Sequence, residues 1–227
     1  MSALAIQRSV QQRPGTGYDR SLHVVDPQWP QGLHHARECA LPYTVHAIDI
    51  GKGDQFKPEF LKISPNNRIP AIVDGDTGLS LFESGAILMY LARKTGRFWP
   101  ESGDAHWRTI EWLMWQMGGV GPMYGQVHHF VKYNKGKAPY AEERYLNEAH
   151  RLYGVLDRRL AQVEYMAGDY SIADMATWPW VSRFEWQTVD LNKYPNVLRW
   201  YKAIAARPAV QKGYHVPVPQ PGIPMPS

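Results

Sequence analysis

The sequence predicts an α+β fold in which a mixed strand-and-helix part is followed by an all-helical part. Short runs of alternating or continuously apolar residues, which are typical of strands, fall before residue 96. Beyond that point the apolar residues recur at the 3.6-residue period of amphipathic helices. A chain of 227 residues has the length for two domains of about 100 residues each, so we expect one domain for each part.

The N-terminal elements follow the order βαβ and then ββα, which is the order of thioredoxin-like domains. Asp74 to Asp76 forms a predicted turn between the last two strands. Pro70 cannot donate a hydrogen bond to a sheet, so it marks the start of a strand or an exposed edge. We predict strands at about 22–25, 43–48, 71–73 and 79–82, and helices at about 33–40, at about 57–61 and after residue 84.

The stretch 68–94 is the candidate binding site. A cis Ile69–Pro70 bond would leave the main chain of Ile69 free to pair with an incoming peptide, although trans is the common state. Ser84 stands just before an apolar helical run, where free amides favour a carboxylate, and Glu83 beside it suits an ammonium group. Together these features suit a small zwitterionic peptide. The alternative is structural: a trans proline, a helix-capping serine and a solvated glutamate.

The helical part opens with an apolar stripe over residues 110–117, and glycines 118–119 are expected to interrupt or kink that helix. Ser171 and Asp174 form a capping box with Asp in place of the usual Glu, which opens a Trp-rich helix. A buried cap explains Asp174 better than catalysis does. Further helices are predicted at about 145–163 and 197–206.

The domain boundaries follow shifts in composition. A polar N-terminal stretch is expected to be a flexible leader, GRFWPESGD is expected to be a linker, and the Pro-rich C-terminal stretch is expected to be extended. We predict a leader at 1–17, a thioredoxin-like domain at 18–95, a linker at 96–105, an all-helical domain at 106–212 and a tail at 213–227.

Charge, cysteine content and hydropathy exclude several classes of function. The formal charge of +4 comes from basic residues scattered among acidic ones, so no nucleic-acid partner is expected. Cys39 is the single cysteine, which excludes an internal disulfide and CxxC chemistry. The adjacent pairs His34-His35 and His128-His129 would chelate a metal poorly. Because no apolar run reaches the roughly 20 residues that cross a bilayer, we expect a cytoplasmic protein with no membrane partner and no metal.

Long motifs in the chain resemble those of glutathione transferases. The blocks GKGDQFKPEFLKISPNNRIPAIVD, LFESGAILMYLARKTG, WLMWQMGGVGPMYGQVHHF and YSIADMATWPW occur in family order between about Leu41 and Ala209. They are similar to those of the bacterial nu class, whose members reduce disulfides with glutathione. The resemblance implies the glutathione transferase fold, with glutathione bound by residues 18–95 as a cosubstrate, no permanent cofactor, and a homodimer whose site lies near the interface.

The resemblance also implies roles for individual residues. The main chain of Ile69 and a cis Pro70 bind the cysteinyl unit of glutathione, while Glu83 and Ser84 bind its γ-glutamyl end. Arg144 matches an arginine that helps to complete the site within a subunit or across the dimer. Further ligand-contacting positions are matched by Gln55, Asn67 and Arg68.

The first βα loop departs from the family pattern. Nu-class relatives carry Thr-Pro-Asn-Gly after the first strand, with the Thr and the Asn at the glutathione sulfur, whereas this chain has Asp26-Pro27-Gln28-Trp29. An aspartate facing the sulfur would raise the pKa of the thiol, which is the opposite of what the chemistry requires. The sequence therefore assigns no residue that stabilises the thiolate, since Asp26 and Gln28 replace the expected pair.

A shift of reading frame accounts for this departure. With suitable codon choices, the codons of Tyr18 to His35 read one nucleotide later encode TIDLYTWWTPNGHKVSIM, which contains the expected strand, the Thr-Pro-Asn-Gly motif and the start of a helix. We hypothesise that residues 18 to about 37 are a frame-shifted reading, restored by a single-nucleotide change before Glu38. The shift is either a sequencing error or a real mutation.

The resemblance predicts chemistry at the sulfur of bound glutathione, whose thiolate attacks a disulfide, a peroxide or an electrophilic carbon. Partners are then glutathione or glutathione disulfide and a small electrophile or disulfide substrate. Two alternatives stay open, a glutathione-binding protein without turnover and a regulatory protein with the same fold. Candidates for the wall that holds the second substrate, most of them expected to be packing residues, are Trp112, Trp115, Tyr124, His128 and Phe130.

Overall fold

The computed structural model describes residues 38–216 and 222–226, together with the backbone of residues 22–25. The chain divides into two compact units. The sheet unit consists of Met1–Thr95 and Lys212–Gln220, and the helical unit consists of Gly96–Gln211 and Pro221–Ser227. The predicted leader, the loop at 26–29 and most of the predicted helix at 33–40 lie outside the described residues.

The sheet unit is built on four strands in the order β2-β1-β3-β4. β1 pairs parallel with β2 and antiparallel with β3, and β3 pairs antiparallel with β4. This pairing agrees with the predicted order of strands, in which the first two are parallel and the last two antiparallel. The strands are β1 (Leu22–Val25), β2 (Tyr43–His46), β3 (Ala71–Asp74) and β4 (Ser80–Phe82).

The α-helices of the described chain fall in both units. The first two belong to the sheet unit, and nearly all the rest belong to the helical unit. In chain order they are α1 (Pro58–Leu61), α2 (Ser84–Thr95), α3 (Gly103–Trp115), α4 (Gly121–Val127), α5 (Pro139–Leu160), α6 (Ile172–Val181), α7 (Pro195–Ala205) and α8 (Pro208–Tyr214).

Strand β3 is buried on both faces, which explains its continuous apolar sequence. On one face Ile72 packs with Ile87 and Leu91 of α2. On the other face Val73 packs with Phe60 of α1. The ends of β3 and β4 are thereby held between two small apolar clusters.

The α-helical hydrogen bonding of α3 ends at Trp115, and the glycines that were expected to interrupt or kink the helix lie in a π-helical segment that follows it. Two π-helical segments, Gln116–Val120 and His128–Tyr133, flank α4. At the first of them the N–H of Gly121 donates to the carbonyl of Gln116, five residues earlier. Since Pro122 has no N–H to give, a widened turn lets the helix change its hydrogen-bond register and continue.

The core of the helical unit is rich in aromatic rings. Trp178, Trp200 and Tyr153 are fully buried, and α5 presents the apolar stripe that the sequence predicts at 145–163. The predicted capping box is present: Ser171 Oγ accepts from Ala173 N, and the Asp174 carboxylate accepts from Ser171 N.

Several element ends differ from the predicted ones. Helix α3 begins at Gly103, inside the predicted linker, and α8 was not predicted and reaches into the predicted tail. Of the rest of that tail, the described residues 222–226 have no regular structure, and the carbonyl of Pro224 accepts from the Tyr201 hydroxyl at 2.6 Å. No helix among the described residues is long and apolar enough to cross a membrane.

Candidate functional site

Residues predicted to bind a ligand come together where β3 begins and β4 ends. The Ile69–Pro70 peptide bond is cis, which decides between the two states that the sequence left open. Ala71 pairs with Phe82, so the antiparallel register places Pro70 beside Glu83. Ile69, Pro70, Glu83 and Ser84 therefore share one end of this ladder.

Glu83 stands in the left-handed region of the backbone, with a φ of 71°. Its carbonyl accepts from Ile87 N at 3.0 Å, so Glu83 occupies the N-cap position of α2 and Ser84 is the first helical residue. The structural alternative in which Ser84 is the cap is thus incorrect by one position. A left-handed L-residue costs about 1–2 kcal/mol, and such residues concentrate at binding sites.

The loop before the cis bond is closed by two hydrogen bonds. Ser64 Oγ, which is buried, donates to the carbonyl of Arg68 at 2.7 Å, and Asn67 N donates to the carbonyl of Ser64 at 3.0 Å. Asn67 also has a positive φ, 48°. The predicted residues Asn67 and Arg68 therefore lie in a short fixed loop directly ahead of Ile69 and Pro70.

Gln55 lies in the short 3₁₀ turn Asp54–Phe56 of the same unit. Its side-chain oxygen Oε1 is buried and has no hydrogen-bond partner within the described part of the chain. A buried acceptor without a donor costs about 1–3 kcal/mol. A ligand that brings an N–H to this oxygen would remove that cost. No hydrogen bond joins Gln55 to the other predicted site residues.

Arg144 lies on α5 in the helical unit and is exposed. It makes no ion pair with any described residue, and it lines a groove of about 720 Å³. In that groove Arg151 donates to Glu148 at 2.7 Å and lowers the pKa of that carboxyl, with a smaller contribution from Arg144. The other residues that line the groove are Met123, Tyr140, Glu143, Tyr145 and Asn147.

The wall candidates separate into two groups. Tyr124 and His128 are buried in the helical core, at 0% and 5% exposure, so they are packing residues. Trp112, Trp115 and Phe130 are half-buried. Only this second group presents surface to a ligand.

The remaining predictions concern sulfur and metals. Cys39 is buried, and its Sγ lies 3.3 Å from Thr95 Oγ1, which agrees with a structural thiol. Among the described residues no group of three or more His, Cys, Asp or Glu side chains has the geometry of a metal site. Asp26 and Gln28 lie outside the described residues.

Two residues near the site were not predicted. Ser64 closes the loop described above, and Asn66 donates from Nδ2 to Glu83 Oε1 at 3.4 Å. Asn66 is next to the predicted Asn67, but its partner is distant in sequence. Local patterns carry no signal for such a contact.

Comparison with known proteins places this site in a family. Residues 34–93 match the N-terminal domain of glutathione S-transferases, and residues 139–203 match their C-terminal domain. The chain is 52% identical over 178 residues to the disulfide-bond oxidoreductase YfcG of Escherichia coli K12, a match that covers 76% of this chain and 83% of that protein. It is 41% identical over 181 residues to the disulfide-bond oxidoreductase YghU of the same organism, covering 75% and 63%.

The fold gives the same result. A crystal structure of a glutathione transferase from Pseudomonas putida, with one glutathione disulfide bound per subunit, superimposes with a TM-score of 0.82 at 38% identity. The match covers 92% of this chain and 97% of that one. The predicted thioredoxin-like and all-helical combination is confirmed, and so is the resemblance drawn from the motifs. The chain belongs to the glutathione S-transferase family, a family of enzymes.

Proposed function

We propose that the protein binds glutathione at the end of the β3–β4 ladder and uses the thiolate of the bound peptide to reduce disulfides. The observation that carries this proposal is the adjacency of the cis Ile69–Pro70 bond to Glu83 and Ser84. It is supported by the two relatives that are named disulfide-bond oxidoreductases and by the relative with glutathione disulfide bound.

Each part of glutathione has a matching group on this surface. The main chain of Ile69, which directly precedes the cis bond before β3, offers hydrogen bonds to the cysteinyl unit. The Glu83 carboxylate suits the γ-glutamyl ammonium group, and the amides at the start of α2 suit its carboxylate. Gln55 Oε1 is a buried acceptor with no donor among the described residues, so it can accept a hydrogen bond from the ligand.

In the proposed reaction the thiolate of glutathione attacks one sulfur of a disulfide. The S–S bond breaks, the leaving thiolate takes up a proton, and a second glutathione thiolate resolves the mixed disulfide to glutathione disulfide and a free thiol. A free thiol has a pKa of about 8.5, and lowering it by two units requires about 2.7 kcal/mol of preferential stabilisation of the thiolate. Cys39 takes no part because it is buried.

Peroxide reduction and conjugation to small electrophiles use the same thiolate and belong to the same proposal as further reactions.

We also propose a homodimer, in which Arg144 helps to complete the site, and a cytoplasmic location. The role of Arg144 is supported by its exposed guanidinium on α5, which forms no ion pair with any described residue and can therefore meet an anionic ligand. Sedimentation equilibrium measures the oligomeric state directly.

A second candidate function rests on the sequence of the loop at 26–29. If Asp26-Pro27-Gln28-Trp29 is the true loop, the peptide pocket is intact but the group that stabilises the sulfur is missing. The protein would then bind glutathione without turnover.

The test measures binding and turnover separately. Isothermal titration with glutathione and with glutathione disulfide gives the affinity, and reduction of a glutathione mixed disulfide, coupled to glutathione reductase, gives the turnover. Binding with turnover supports the enzyme, and binding alone supports the second candidate. Glu83→Gln should weaken binding of glutathione, because it removes the carboxylate that would meet the ammonium group. Glu101→Gln, which changes an exposed glutamate of the helical unit, is its control. Absence of binding by the wild-type protein contradicts both candidates.

A further inference from the structure

The carboxylate of Glu83 has one side-chain hydrogen bond within the described residues, and its donor is neutral. Asn66 Nδ2 donates to Glu83 Oε1 at 3.4 Å. No lysine, arginine or histidine of the described chain forms an ion pair with Glu83. An exposed glutamate with its charge unmatched and one oxygen held by an amide is arranged to receive a cation.

The main chain that carries Asn66 is fixed. Ser64 is fully buried and binds the loop at both ends, through Oγ to the carbonyl of Arg68 and through its own carbonyl to Asn67 N. Asn66 lies at the exposed tip of this closed loop. The main-chain position from which the Asn66 side chain extends toward Glu83 is therefore fixed.

The main chain of Glu83 is fixed as well. The pairing of Ala71 with Phe82 sets the residue before it, and its carbonyl accepts from Ile87 N in the first turn of α2. What stays free is the side chain, whose three rotatable bonds lose entropy when a ligand orders them. A donor beside one carboxylate oxygen restricts those bonds before the ligand arrives.

We infer that Asn66 is a positioning residue, which holds the Glu83 carboxylate toward the ammonium group of the γ-glutamyl unit. The inference rests on the proposed function, since it names a further residue of the same site. An amide suits the task because it donates without neutralising the carboxylate, whereas Lys or Arg would compete with the ligand's own cation. The 3.4 Å distance is longer than an ordinary hydrogen bond of about 3 Å, so the amide biases the orientation of the carboxylate without locking it.

The test compares two ligands on one variant. Wild-type protein and Asn66→Ala are titrated calorimetrically with glutathione and with glutaryl-cysteinyl-glycine, the analogue in which hydrogen replaces the α-amino group. We expect the variant to bind glutathione about 3- to 10-fold more weakly, a difference of about 0.7–1.4 kcal/mol. Its affinity for the analogue, which has no ammonium group to be met, should change less than twofold.

A double variant shows whether Asn66 acts through Glu83, and a further single variant serves as the control. The double variant Asn66→Ala with Glu83→Gln should bind glutathione no more weakly than Glu83→Gln alone, because the carboxylate that Asn66 positions for the ammonium group is then absent. Asn192→Ala is a matched control, since it removes an exposed Asn–Asp hydrogen bond of 3.0 Å to Asp190 in the helical unit. We expect it to leave both affinities unchanged.

The outcomes separate the inference from the function on which it rests. Equal weakening toward both ligands would mean that Asn66 only shapes the loop, and the inference would be wrong. Additive losses in the double variant, or no loss in Asn66→Ala, would overturn it as well while leaving glutathione binding by the wild type intact. A wild-type protein that binds neither ligand contradicts the proposed function, and this role with it.

Discussion

Nε2 of Gln187 lies 3.1 Å from Nε2 of His128 in the core of the helical unit. The same Gln187 nitrogen donates to the carbonyl of Trp180, and Gln187 Oε1 accepts from the Tyr153 hydroxyl. Because an amide NH₂ only donates, His128 must accept at Nε2 and its ring is neutral. Burial, and then the nearby Arg183 guanidinium, lowers the pKa of His128 to about 4.

This arrangement predicts a loss of stability in mild acid. The unfolded chain protonates His128 near pH 6.5 and the folded chain only near pH 4, so the contribution is complete above pH 6.5 and falls as the pH drops from 6.5 to 4. The loss at the lower end is about 3 kcal/mol. Urea denaturation of the wild type and of His128→Gln, at pH 7 and pH 4.5, should show a steeper pH dependence in the wild type.

Two comparisons isolate the effect of His128. His129→Gln changes the neighbouring exposed histidine and should keep the wild-type pH dependence. Burial raises the pKa of Asp174 to about 6, so that this carboxyl is protonated first in the folded state and stabilises it as the pH falls below 6. Asp174 is common to all three proteins, so its contribution cancels. Equal slopes for the wild type and His128→Gln would contradict the prediction.

Asp174 is also the centre of a cluster of donors. Its two oxygens accept from Met166 N at 2.9 Å, Trp200 Nε1 at 2.8 Å, and the main chain and hydroxyl of Ser171 at 3.0 and 3.1 Å. Asp174→Asn places an NH₂ among these donors and leaves at least one of them unsatisfied. We predict a loss of about 2–4 kcal/mol in the free energy of unfolding, measured by denaturant titration.

The control for this prediction is Ser171→Ala, which removes the cap but leaves the main-chain, Met166 and Trp200 bonds. Its expected loss is about 1 kcal/mol. If Asp174→Asn were no more harmful than Ser171→Ala, the carboxylate would be a helix cap alone. Its bonds to Met166 N and to Trp200 Nε1 on α7 would then add nothing measurable to stability.

The sheet unit contains a comparable buried carboxylate. Asp74 is 1% exposed, and its Oδ2 accepts from Tyr90 at 2.5 Å and from Lys94 Nζ at 2.6 Å. Lys94→Met leaves this carboxylate with the Tyr90 hydroxyl and the N–H of Asp76 but no cation. We predict a decrease of about 2–3 kcal/mol in the free energy of unfolding, measured by denaturant titration. Lys52→Met removes an exposed ion pair with Asp49 and should cost about 0.5 kcal/mol or less. A similar loss in both variants would contradict the argument from burial.

How far the fold follows from the sequence depends on the range of each interaction. The stripe at 145–163 and the cap at Ser171 are local patterns, and both were predicted. The π-helical segment Gln116–Val120 was not, because one extra residue in a turn barely changes a 3.6-residue period. Helix α8 was missed because it is short and directly follows α7.

The site shows the same division. Motif resemblance predicted Pro70 and Glu83 as site residues. No local pattern shows a cis bond or a left-handed glutamate, since the register of β3 against β4 and the loop before β3 set both. Asn66 reaches Glu83 across 17 positions. Contacts of that range follow from the folded sheet and not from composition.

The loop at 26–29 gives a prediction on activity. Replacing Asp26, Gln28 and Trp29 by Thr, Asn and Gly restores the family motif and removes a carboxylate that, if it faced the sulfur, would raise the pKa of the glutathione thiol. We expect at least a tenfold gain in turnover of a glutathione mixed disulfide, with little change in the affinity for glutathione. A control with Asp26→Thr alone separates charge from the whole motif. No gain in either variant would mean that this loop does not limit the reaction.

The frame-shift hypothesis is tested on the protein itself. The sequence as given has Arg20 and Gln31, so trypsin releases a peptide that runs from Ser21 to Arg37. The other frame has no arginine at position 20 and has a lysine at position 31, so its peptides end elsewhere. Mass spectrometry of protein purified from its natural source distinguishes the two. Peptides of the shifted frame would show a sequencing error and restore the thiolate-stabilising loop without mutagenesis. The peptide 21–37 would show that the loop is real. The turnover gained by the loop replacement would then measure how much activity this loop costs the protein.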